Sequence, residues 1–210
     1  MRHAALTLGA IFALSSPVIS HAAPPGTDVL YVVAVDSHGH PGAGFKARPA
    51  DDEDPTVSDC EASPAAVSAN IYQCSPGAVG ADACWAAKDN SLLCLDDPWD
   101  RQLNRVLIAD ELRAVSPVAD PLPLALQLDD GTRCRLRTSG AWGGRDDGYE
   151  AAYGCEASDV TVLSGPGGDV VDRSAPAWTV RVGPIGVGDM HFAPPETRTV
   201  RTAWFAGRPG

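Results

Sequence analysis

Arg133-Cys134-Arg135-Leu136-Arg137-Thr138 alternates charged or polar residues with less polar ones, the period-two pattern of a half-buried strand. Gly148-Tyr149-Glu150-Ala151-Ala152-Tyr153-Gly154-Cys155-Glu156 can return antiparallel beside it, across a stretch rich in Gly and Asp. Placing Cys134 opposite Cys155 sets Leu136 against Tyr153 and Thr138 against Ala151, and puts Arg133 against Glu156 on the other side. One face then carries Cys, Leu, Tyr and Ala, and the other carries arginine and glutamate. A slip of one residue would scramble both faces, so the pattern specifies its own register.

The same reasoning extends upstream. Ala83-Cys84-Trp85-Ala86 and Ser91-Leu92-Leu93-Cys94-Leu95 flank the turn-like Lys88-Asp89-Asn90. Pairing Cys84 with Cys94 brings Trp85 against Leu93 and Ala86 against Leu92. Cys60 and Cys74 remain, closing a loop that contains Pro64. An even set of six cysteines with no C-x-x-C spacing predicts structural bridges rather than a redox or zinc centre. Of the fifteen pairings that six cysteines allow, local strand geometry favours Cys60–Cys74, Cys84–Cys94 and Cys134–Cys155.

Disulfides require an oxidising compartment, and the start of the chain predicts one. Arg2 and His3 precede an apolar stretch over residues 4–14, then Pro17 and Ser20-His21-Ala22. Small residues at Ser20 and Ala22 predict a Sec signal peptide over 1–22, cleaved after Ala22. The apolar stretch is shorter than the ~20 residues a bilayer core needs, so a membrane anchor is not expected. A twin-arginine route lacks its second arginine. The expected product is a secreted or otherwise extracytoplasmic domain over 23–210. Removing Arg2 takes the formal charge from −11 to −12 (−11 − 1), which disfavours nucleic acid and anionic membrane surfaces as partners.

Further along, Val29-Leu30-Tyr31-Val32-Val33-Ala34-Val35 is a continuous apolar run between Asp28 and Asp36 and predicts a buried strand. Residues 39–59 read as a loop, and 63–70 as one short helical turn. Residues 101–109, 124–128, 132–138, 159–163, 177–182 and 199–205 read as strands, with Asp129-Asp130-Gly131 as a hairpin turn. Pro117, Pro121 and Pro123 mark either a surface connection or a linker, so two lobes, 28–113 and 122–207 joined by 114–121, are an alternative to a single unit. Many turns and little helical periodicity predict an all-β fold, an antiparallel sandwich or barrel-like domain stapled by three local disulfides.

Several segments carry a resemblance. They are Cys84-Trp85 through Leu95-Asp96-Asp97-Pro98-Trp99, Asp130-Gly131-Thr132-Arg133-Cys134, Tyr153-Gly154-Cys155, Asp172-Arg173-Ser174-Ala175-Pro176-Ala177-Trp178-Thr179, and Thr202-Ala203-Trp204-Phe205-Ala206-Gly207. Together they resemble a group of secreted proteins of mycobacteria and related actinobacteria, over most of the expected mature chain. The resemblance implies an extracytoplasmic domain and carries over no catalytic residue.

Candidate chemistry is sparse. His38, His40 and His191 are the histidines of the mature chain, and together they would suit a three-histidine metal site. The loop-like Ser37-His38-Gly39-His40-Pro41 favours exposed histidines instead. A serine hydrolase would draw its base from the same three, but no Gly-x-Ser-x-Gly elbow is present, and Ser164-Gly165-Pro166-Gly167-Gly168 reads as a turn. The doublets Asp96-Asp97, Asp129-Asp130 and Asp146-Asp147 read as solvated turns rather than paired glycosidase carboxylates. Asp51-Asp52-Glu53-Asp54 reads as an acidic loop before it reads as a calcium site.

Five tryptophans, Trp85, Trp99, Trp142, Trp178 and Trp204, are the most suggestive remaining feature, and Trp178 reads as part of a core strand. Trp142, among Gly140, Gly143 and Gly144 at the predicted tip of the long hairpin, is a candidate partner contact; packing over the core edge is the stronger expectation. The functional expectation is a non-enzymatic binding or structural domain of the envelope or secretome. It uses no cofactor and contacts an envelope glycan or another secreted protein. The alternative is an exported hydrolase using His38, His40 or His191.

Overall fold

A computed structural model describes residues 26–76, 80–138, 143–157, 159–186 and 190–207. The fold is all-β, with no helix among the described residues, and contains two closed barrel-like sheets. Its strands are β1 (Asp28–Val32), β2 (Lys46–Ala47), β3 (Thr56–Ala62), β4 (Ile71–Ser75), β5 (Cys84–Ala86), β6 (Ser91–Leu95), β7 (Gln102–Ile108), β8 (Ala125–Leu128), β9 (Arg133–Leu136), β10 (Glu150–Cys155), β11 (Thr161–Ser164), β12 (Val171–Asp172), β13 (Thr179–Gly183) and β14 (Glu196–Ala206).

The smaller barrel runs β3-β4-β5-β6-β7 as an antiparallel meander. Five strands joined in this way leave the first and last running in the same direction, so the barrel can close only through a parallel pair. Thr56 and Val57 of β3 accordingly lie beside Leu107 and Ile108 of β7. Its interior is small: Val57, Tyr72, Cys74, Cys84, Leu92, Cys94 and Val106, with Ala81. Such a core buries little apolar area, and disulfides compensate in domains of this kind. Two bridges run through this one, Cys60–Cys74 between β3 and β4 and Cys84–Cys94 between β5 and β6. Trp85 pairs with Leu93 and Ala86 with Leu92, the register that the alternation required.

The larger barrel is the meander β8-β9-β10-β11-β13-β14, closed by β14 against β8. Strand β14 is long enough to do both jobs: residues 196–199 pair with β13 and residues 200–204 with β8. Cys134 faces Cys155 and is bonded to it, with Leu136 beside Tyr153. Cys134 and Leu136 are buried, while Arg133 approaches Glu156 at 3.8 Å on the outer face. The Asp129-Asp130-Gly131 turn joins β8 to β9, and Gly131 takes φ +91, a conformation that suits glycine. Tyr153 is fully enclosed, and its hydroxyl donates to the Pro123 carbonyl at 2.7 Å. Burial pushes the titration of this phenol upward.

One apolar core runs through both barrels. It includes Trp85, Leu93, Leu95 and Leu103 from the smaller one and Leu124, Leu126, Val200 and Phe205 from the larger. This explains the unbroken burial of β6: Leu92 and Cys94 fill its own barrel, while Leu93 and Leu95 belong to the shared core. Ala206 of β14 donates to Ala65 and accepts from Val67, stitching the 63–70 turn to the larger barrel. Arg135 meets Asp96 at 2.7 Å across the same boundary. The Pro-rich connection is extended and tied down. The N–H of Asn70 donates to the Val115 carbonyl, the N–H of Leu122 donates to Pro64, and Arg173 donates to the Pro121 carbonyl at 2.7 Å.

Four expectations need correction. Residues 63–70 form one tight turn, closed by the Ala66 N–H to the Ser63 carbonyl, and a bridge to β14 rather than a helical turn, because the next backbone groups bond across to Ala206. The 39–59 loop contains β2 and the start of β3. Trp178 is half-buried beside the core, with the Arg173 guanidinium 5.1 Å from its ring. The apolar run at 29–35 is not a buried strand: β1 lies at the sheet edge, parallel to β14, with Leu30 46%, Tyr31 47% and Val33 42% exposed. Although it precedes the smaller barrel in sequence, β1 therefore belongs to the sheet of the larger one.

Candidate functional site

The three histidines are not brought together. His38 and His40 sit on the tight turn between Val35 and Pro41, where the Asp36 carboxylate accepts from both of their backbone N–H groups. Those N–H donors, His40 first, hold the Asp36 carboxyl below the ordinary carboxylate range. The two rings lie 6.5 Å apart and point into solvent. Gly39 makes this turn feasible: its φ is +79, and a Cβ there would meet the backbone nitrogen of Lys88 at 2.7 Å. Among the described residues, no three His, Cys, Asp or Glu side chains converge as metal ligands.

His191 does meet a carboxylate. Its Nδ1 pairs with Asp146 on a loop platform at one end of the larger barrel, and this pairing lowers the Asp146 titration. The platform is pinned by Arg145, whose side chain is inaccessible to solvent. Arg145 binds Asp147 through two nitrogens, at 2.9 and 2.6 Å, donates to the carbonyls of Pro184 and Ala193, and lies 5.0 Å from the Phe192 ring. Gly144 and Gly186 exchange backbone hydrogen bonds, and Gly143 lies so close that a Cβ would meet the Gly186 carbonyl oxygen at 2.3 Å. His191 itself is 89% exposed. Among the described residues, Asp146 is the side-chain partner of His191, and no serine, threonine or cysteine is hydrogen-bonded to it. Trp142 lies outside the described residues.

The acidic motifs are locally satisfied. Asp129 and Asp130 share the guanidinium of Arg198, each at 2.7 Å. The Thr132 N–H and Arg198 pull the Asp130 titration down to about 2. Asp96 holds Arg135 and Asn104, and the neighbouring Asp97 accepts from the Asp100 N–H. Burial raises the Asp97 titration. Asp51 and Asp54 accept from backbone N–H groups within their own loop. That loop borders an open groove of about 600 Å³ with Arg48, Asp96 and Arg105. A second groove of about 420 Å³ is lined by Asp59, Asp110, Glu111 and Arg113. Neither groove holds a histidine, and the carboxylate of Asp96 and the guanidinium of Arg105 are occupied by ion pairs.

The remaining conspicuous surface is the edge of β1. Large apolar side chains on a strand with one neighbour are what folded proteins ordinarily cover or blunt with charge. The Val32 carbonyl accepts from the Gly207 N–H, on the β14 side. Backbone groups alternate in direction along a parallel ladder, so those of Asp28 and Leu30 also face β14, and those of Val29 and Tyr31 face outward. Backbone bonds also flank the strand. The Thr27 N–H donates to Pro176, and beyond Val33 the Gly42 N–H donates to Ala34. Among the described residues, no strand pairs with the outer side of β1. The apolar run is plain in the sequence, but the number of neighbours a strand acquires is not.

Comparison with known proteins adds no assignment: no family model, curated protein or solved structure matches the chain.

Proposed function

We propose that the chain is an exported, disulfide-stapled domain of the cell envelope or secretome that binds rather than catalyses, with the β1 edge as its working surface. The observation that carries this reading is the exposure of Leu30 and Tyr31 on β1, and of Val33 just beyond it, where β14 is the single strand neighbour among the described residues. Outward N–H and C=O groups at Val29 and Tyr31 favour a polypeptide over a glycan, because an extended chain can complete their hydrogen bonds. The charge of −12 left after loss of residues 1–22 (−11 − 1) keeps nucleic acid and anionic membrane among the disfavoured partners.

A photo-crosslinking residue in place of Tyr31, introduced into the exported protein, tests the reading against the same residue in place of Lys88 on an exposed turn. Adducts of defined mass from position 31 and none from position 88 are expected. Equal adducts from both, or none from either, would count against β1. The hydrolase alternative is favoured by the His191–Asp146 pair alone. Turnover of an ester or glycoside that His191→Ala abolishes would establish it.

A further inference from the structure

We infer that the Cys60–Cys74 bridge is a site of thiol–disulfide exchange on the folded protein, opened by attack at the Cys60 sulfur from a small thiol that carries a positive group. The inference is independent of the β1 reading. The bridges differ in how the strand ladders hold them. Cys84 faces Cys94 and Cys134 faces Cys155 in direct register. Each of those pairs is flanked by ladder bonds on its far side, the Leu95 N–H to Ala83 and the Glu156 N–H to Arg133. Cys60 has no such frame. The β3–β4 register passes from Ser58 and Ser75 to Glu61 and Gln73, so Asp59 and Cys60 lie on a bulge, where Asp59 takes φ +46.

Access differs in the same sense. Cys84, Cys94 and Cys134 are fully buried, and the half-buried Cys155 packs against the shared core. Cys60 is half-buried and lines the open groove of about 420 Å³, while Cys74 behind it is 5% exposed. Attack therefore comes at Cys60. The incoming thiolate bonds to the Cys60 sulfur, the S–S bond breaks, and Cys74 leaves with the electron pair and takes a proton from water. A second thiol then displaces the first from Cys60, so two thiols are oxidised to one disulfide as the bridge is reduced. The groove selects among attackers, because Asp59, Asp110 and Glu111 outnumber Arg113 there. A thiolate with a second negative group is repelled, whereas one that carries an ammonium arrives with no net charge. Thr56 and Val57 stay against β7, and Glu61 and Ala62 against β4, so opening frees the bulge without opening the barrel.

Limited exchange of the folded, oxidised protein with cysteamine, mercaptoethanol or mercaptoethanesulfonate, compared at equal thiolate concentration, tests the inference. Rapid alkylation and peptide mapping read which sulfurs have opened. Cys60 and Cys74 should be the first labelled pair, about tenfold or more ahead of the others, with circular dichroism unchanged. Cysteamine should react fastest and the sulfonate slowest, about threefold or more apart at low salt and closer at high salt. Asp59→Asn combined with Glu111→Gln should remove most of that spread and leave Cys60–Cys74 first to open. If another bridge opens first, if all open together, or if Cys60–Cys74 opens only in denaturant, the inference is overturned. Rates that do not follow the charge of the thiol would overturn it too.

Discussion

Replacing Cys134 and Cys155 together with alanine releases a clamp across 21 residues of chain, and the structure sets the size of the effect. Loop-closure entropy for a bridge of that span corresponds to about 3 kcal/mol at room temperature, acting through the unfolded chain. Cys134 is completely buried between strands, so loss of its sulfur adds about 1 kcal/mol of packing. The expected loss of about 4 kcal/mol is a large fraction of the ~5–15 kcal/mol that holds a typical domain together. The paired alanines leave no free thiol to reshuffle the other bridges. Urea unfolding followed by tryptophan fluorescence measures the loss as a lower midpoint, with a steeper slope because the freed unfolded chain exposes more surface. The native register should survive, since Leu136 and Tyr153 remain buried and specify it. A loss below about 1 kcal/mol would refute the view that these sulfurs act as fasteners.

Three further outcomes follow from contacts elsewhere. Tyr153→Phe strands the Pro123 carbonyl in the core and should cost about 1–2 kcal/mol in the same unfolding assay, with no change in fold. The Asp130 carboxyl, held near 2 against an ordinary value of 3.8, contributes stability that is complete above the ordinary value and disappears as pH falls through about 2. Arg198→Ala should move the Asp130 titration upward by NMR and shift acid unfolding to higher pH. Arg145→Ala removes the buried guanidinium that ties Asp147 to Pro184 and Ala193, so amide exchange over residues 184–193 should accelerate while β9 and β10 keep their protection.

Period-two sorting made the β9–β10 register readable, because β9 alternates buried and half-exposed residues with Cys134 on the buried side, whereas in β5–β6 the short turn and the cysteine pair set the register. That sorting fails where both faces are covered or where an edge is left open. β6 is apolar throughout because it lies between two cores, and β1 is almost as apolar while half of it faces water. Composition alone does not separate these cases; the partner strand β14 lies some 170 residues downstream. The smaller barrel was illegible for a similar reason. Its closure joins β3 to β7 in parallel, and β3 carries a bulge where Asp59, beside Cys60, takes φ +46. At the candidate sites, turn chemistry was legible in Asp97 and Asp130, whose carboxylates bond nearby backbone as their neighbours suggested. The meeting of His191 with Asp146 was not legible, because it depends on how Arg145 draws two distant loops together.

The most direct test is the intact mass of the protein recovered from outside the cytoplasm. The predicted mass is that of residues 23–210 less six hydrogens, with non-reducing peptide maps linking Cys60 to Cys74, Cys84 to Cys94 and Cys134 to Cys155. A species that keeps residues 1–22, retains any of those hydrogens or links the cysteines differently would contradict the account.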